Sequence, residues 1–104
     1  MDEVGVVEYE HEGKTWSLPR DLVALQVEIA RADAACRAAV AANDDVALSE
    51  ARAVRLKLVV EKFAKAASWW DTFENYERWK ADAALKAYAR GAVPDVVERS
   101  PGAV

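Results

Sequence analysis

Trp69, Trp70, Phe73, Tyr76 and Trp79 put five aromatic side chains within eleven positions. They are the residues of this chain best suited to recognition. Each buries a large area, and exposed Trp and Tyr mark protein contact surfaces. A helix turns about 100° per residue, so one helix cannot aim all five the same way. Some must fill a core while at least one faces outward. The other reactive types have weaker settings. His11, the only histidine, sits among acidic residues beside an expected turn, with no partners at acid–base or metal-ligand spacing. Cys36 falls on an apolar seam with no base nearby in sequence, the setting of a small buried hydrophobe rather than a nucleophile. Asp44-Asp45 lies between two helical stretches, where helix capping explains the pair better than cation binding. Glycine-rich phosphate loops, nucleophile elbows and paired-cysteine zinc patterns are all missing from the sequence. The expectation is a protein with no catalytic residues, no metal and no cofactor.

Arg55, Lys62 and Lys65 share part of one helical side with Trp69 beyond, the outline of a nucleic-acid stripe with a stacking aromatic. Glu61 interrupts it, and the net charge of −4 works against phosphate binding. A solvated helix face is the simpler account, and nucleic acid stays the lesser alternative. The charge is also uneven. Asp2, Glu3, Glu8, Glu10 and Glu12 make the start acidic, whereas Arg52, Arg55, Lys57, Lys62 and Lys65 make the middle basic. The two regions could meet within one molecule or between copies, so a homo-oligomer is an open expectation.

With 104 residues, 53% hydrophobic and 31% charged, the chain has room for one modest core and a folded, helix-rich composition. A single cysteine allows no intrachain disulfide and fits a reducing compartment. No basic-then-apolar leader and no run of roughly 18 apolar residues is visible. These features predict a cytoplasmic protein with no membrane span.

The elements that must position these residues follow from periodicity. The fold class expected is mainly α: an N-terminal β-hairpin, then an antiparallel helical hairpin, then a third, C-terminal helix. One domain should cover 1–91, with the hairpin at 4–18, helices at 19–42, 45–68 and 72–90, and a flexible tail at 92–104. In the hairpin, Glu12-Gly13 makes the turn, so His11 faces Lys14, Tyr9 faces Trp16 and Val7 faces Leu18. That register separates an apolar face (Val7, Tyr9, Trp16, Leu18) from a polar one, and a one-residue slip would scramble it. Ser17 and Pro19 are start signals for the first helix. Leu18, Leu22, Leu25, Ile29, Ala32, Cys36 and Ala39 then repeat at four-three spacing along one seam. Asn43 can end that helix in a left-handed conformation, and Asp44 or Asp45 can cap the next. The second helix shows its strongest apolar face at Leu56, Val59, Val60, Phe63, Ala67 and Trp70. Packed antiparallel, Leu22, Leu25 and Ile29 should lie opposite Leu58, Phe63 and Ala66. Asp71 and Glu74 resemble a capping box that starts the third helix, a single bent helix being the alternative. Gly91 and Pro94 end it.

The run Val7-Glu8-Tyr9-Glu10-His11-Glu12-Gly13-Lys14-Thr15-Trp16-Ser17-Leu18-Pro19, leading into a helix, resembles the start of small tail assembly chaperones of long-tailed bacteriophages. The resemblance covers about the first third of the chain. It implies a non-catalytic cytoplasmic helper that binds tape-measure and tail-tube proteins and self-associates, and it carries over no functional residue. Length and helical hairpin also suggest the small secreted WXG proteins, but no tryptophan here has glycine two positions later. The expected function is therefore protein binding, as a phage assembly chaperone or accessory protein. The alternative is a small regulator that inhibits a host protein through the acidic hairpin or the aromatic cluster.

Overall fold

A computed structural model describes residues 5–93. Five elements follow in order: β1 (Val6–His11), β2 (Lys14–Pro19), α1 (Arg20–Ala41), α2 (Asp45–Trp70) and α3 (Asn75–Ala92). The mainly helical class with an N-terminal antiparallel hairpin is as expected. Glu12 and Gly13 both take positive φ, 51° and 80°. That is the turn whose twist matches a two-stranded ribbon. It sets the pairs Val7–Leu18, Tyr9–Trp16 and His11–Lys14, the register read from the alternation. Val4, placed at the start of the hairpin, lies outside the described residues.

The start of α1 differs from expectation. Ser17 does not cap it. β2 runs on to Pro19, which is the N-cap residue, and the Ser17 hydroxyl instead donates to Glu8 Oε2 at 2.9 Å across the ribbon. The Arg20 amide donates to the Gly5 carbonyl at 3.1 Å, tying the helix start to the chain before β1. The α1–α2 link is as read. Asn43 is left-handed at φ 56°, the Asp44 amide reaches back to the Ala39 carbonyl, and the Asp44 carboxylate accepts from the Ala47 amide at 3.0 Å.

The seam of α1 is largely in place: Leu18, Leu22, Ile29, Ala32 and Ala39 are buried, with Leu25 and Cys36 half-buried. Toward the link, Ala32 and Ala35 face Ala47, Ala51 and Val54 across a shallow depression, small against small. The main core sits at the other end. Trp16, Leu18 and Leu22 meet Ala66 of α2 and Ala81, Ala84 and Leu85 of α3. The alanines let the backbones approach, and the apolar face of the hairpin closes over the gap. Tyr9 and Tyr88 meet edge-on there.

α2 and α3 are two helices rather than one bent one, and their junction lies later than expected. α2 continues to Trp70 and α3 begins at Asn75. Asp71 closes α2 instead of opening α3, and Glu74 is the N-cap with no side-chain cap bond, so the capping box is not formed. Two competing bonds explain this: Thr72 Oγ1 donates to the Trp69 carbonyl at 2.6 Å, and the Asp71 carboxylate lies 3.5 Å from Arg78. At the far end α3 includes Ala92, and Val93 is buried, so the packed chain extends past the expected boundary at residue 91. The rest of the expected tail, 94–104, lies outside the described residues.

Candidate protein-binding groove

α2 is the element whose orientation decides the site. Its buried positions are Lys62 and Ala66. The apolar stripe expected to face the core, Leu56, Val60 and Phe63, points away from it, at 64%, 60% and 55% exposure. The physical reason lies on the adjoining side of the helix. Ala66 joins the core beside Leu18 and Leu22 on a helix packed against α1, and Lys62 buries its methylene stem while its ammonium meets Asp82 Oδ1 of α3 at 2.8 Å. Burying that side turns Phe63 outward, so Phe63 does not pack under Leu25 and Ile29 as the antiparallel match predicts.

The outward turn opens a groove of about 370 Å³ between α2 and α3. Gln26 and Ile29 of α1, both buried, form its floor. Val59, Lys62, Phe63 and Trp70 line the α2 wall, and Arg78, Trp79, Asp82 and Lys86 the α3 wall. Phe63 and Trp70 pack at 5.6 Å between ring centroids. Trp79 stands on the opposite rim, 81% exposed. Trp79 also borders a second cleft of about 260 Å³ with His11, Lys14, Glu77 and Lys80, so both of its sides are accessible.

The five clustered aromatics divide by element. Trp69 and Phe73 turn inward: Phe73 meets Trp69 at 5.5 Å and Trp16 at 5.9 Å, both edge-on. Trp70 is half-buried in the groove wall. Tyr76 and Trp79 face outward, with the Lys80 ammonium 4.6 Å above the Tyr76 ring. The nucleic-acid stripe is not assembled as expected. Lys62 is 3% exposed and paired with Asp82 of α3. Arg55 pairs with Asp33 of α1, while Lys65 is exposed.

The apolar spacing predicts a core position for Phe63, Leu56 and Val60, and nothing in the sequence marks Ile29, Gln26, Arg78, Asp82 and Lys86 as site residues. One signal for the first group was present. Val46, Val54, Leu56, Leu58, Val60 and Phe63 spread around α2, further than one antiparallel neighbour can cover. His11 stacks on Tyr9 at 5.9 Å and lies 3.7 Å from Glu12. Cys36 is a half-buried free thiol. Among the described residues no three His, Cys, Asp or Glu side chains are grouped to hold a metal, and no helix is long and apolar enough to cross a membrane.

Comparison with family models, curated proteins and solved structures yields no match. The functional reading therefore rests on the groove.

Proposed function

We propose that this chain is a non-catalytic protein-binding protein that docks a segment of a partner between α2 and α3. The observation that carries the reading is the pair of exposed aromatics, Phe63 and Trp79, on opposite rims of a groove floored by Ile29 and Gln26. Large apolar side chains left in water on facing walls match the way a groove receives an amphipathic segment. The resemblance of Val7–Pro19 to phage tail assembly chaperones supports a helper of virion assembly. It would act in the cytoplasm of a bacterial host, with tape-measure or tail-tube protein as partner and self-association as a further property. A small inhibitor of a host protein would use the same face. The nucleic-acid alternative loses support from the burial of Lys62.

Co-expression tests the reading. Tagged wild-type chain should retain a tape-measure or tail-tube protein, and Phe63→Glu with Trp79→Glu should release it without loss of helical signal. A wild-type chain that stays monomeric and retains neither protein would remove the chaperone reading. Salt-sensitive binding to nucleic acid would favour the third reading instead.

A further inference from the structure

The groove has an unbalanced charge at its base. Asp82 serves two ammoniums at once, Lys62 at 2.8 Å through Oδ1 and Lys86 at 3.2 Å through Oδ2. The Lys62 side chain is 4% exposed, so one carboxylate answers two cations, one of them out of water. Lys62 has its counter-ion, so the surplus positive charge sits with Lys86, half-exposed at the edge of the groove, where an incoming carboxylate can reach it. Arg78 also lines this wall, but it is already 3.5 Å from Asp71 and donates to the Phe73 carbonyl, so the surplus stays at one charge. Phe63, Trp70 and Trp79 surround this spot with apolar surface. On the floor, Gln26 is 6% exposed and its Oε1 has no hydrogen-bond partner among the described residues.

We infer that the groove takes an acidic peptide segment: a carboxylate seated on Lys62 and Lys86, with a large apolar neighbour held between Phe63 and Trp79. The inference rests on the protein-binding reading and names the chemistry of the partner. A peptide suits the groove better than a nucleic-acid strand. Asp71 and Asp33 flank Arg78 and Arg55, so a run of phosphates would find one anion seat bordered by carboxylates.

Selection of short random displayed peptides on the full chain tests this. Enriched peptides should carry Asp or Glu beside Leu, Phe or Trp. By fluorescence anisotropy, the labelled best peptide should bind Lys86→Gln and Lys62→Met at least about tenfold more weakly than wild type, the loss expected for a desolvated charge contact. The same peptide with its acid changed to the amide should lose as much. Lys86 is half-exposed, so Lys86→Gln keeps the Lys62–Asp82 pair and serves even if Lys62→Met does not fold. Enrichment without acids, or unchanged affinity in Lys86→Gln, overturns the inference. In that case a loss with Trp79→Ala still supports docking at this face, and unchanged binding there removes the docking reading as well. Displacement of the peptide by single-stranded oligothymidylate would overturn the peptide assignment in favour of nucleic acid.

Discussion

Tyr9 of β1 and Tyr88 of α3 meet edge-on, with ring centroids 5.2 Å apart and planes at 70°. This contact latches the hairpin to the last helix. Edge-on aromatic pairs contribute about 0.5–1.5 kcal/mol beyond the area they bury. A double-mutant cycle with Tyr9→Leu and Tyr88→Leu should return a coupling energy in that range by urea unfolding. Additive single-mutant losses would mean that the rings merely share the site.

Glu12 pays a strain for its positive φ that asparagine largely avoids. Glu12→Asn should raise stability by about 0.5–1 kcal/mol, seen as a higher urea midpoint at constant slope. Gly13→Ala, at φ 80°, should lower it by a similar amount or more.

Ile29 and Phe63 separate core from surface. Ile29→Ala should cost about 2–5 kcal/mol, because a 3% exposed side chain leaves a cavity. Phe63→Ser, at a position 55% exposed, should cost well under about 1 kcal/mol. Equal losses would mean that the apolar stripe of α2 is covered after all.

The Lys62–Asp82 pair should respond asymmetrically. Asp82→Asn leaves a buried ammonium without its counter-ion and should cost about 3–5 kcal/mol. Lys62→Met leaves Asp82 paired with Lys86 and keeps the packed stem, so its effect should lie within about 1 kcal/mol of neutral. Thermal unfolding of the two variants side by side makes the comparison.

Trp79, at 81% exposure, should account for most iodide-quenchable tryptophan fluorescence, whereas Trp16 at 4% should be protected. Trp79→Phe should therefore sharply cut the iodide-sensitive fraction, the remainder coming from half-buried Trp69 and Trp70.

The parts legible in the sequence are those set by neighbours along the chain. The hairpin register follows from Glu12-Gly13 and strict alternation, and the α1–α2 link from Asn43 and Asp44. The α1 seam follows from a spacing that runs unbroken from Leu18 to Ala39. The groove was not legible, because it depends on which side of α2 is buried. Apolar size favours Leu56, Val60 and Phe63. The side that wins instead holds Lys62 and Ala66, which meet Asp82 and the Leu18–Leu22 part of the core, all distant in sequence. Ser17 shows the same limit at smaller scale. Its hydroxyl suits a helix start as well as a cross-strand bond, and only the presence of Glu8 opposite decides between them.

The contact between Tyr9 and Tyr88 joins the first and last described elements. During synthesis the hairpin emerges first, yet Leu85 and Tyr88, which cover its apolar face, emerge only after α1 and α2. Trp16 and Leu18 can meet Leu22 and Ala66 early, but they stay open on the side of Ala81, Ala84 and Leu85 until translation has passed α3. The hairpin is made early and completed late, so chains halted before α3 should be the ones that proteases and chaperones capture.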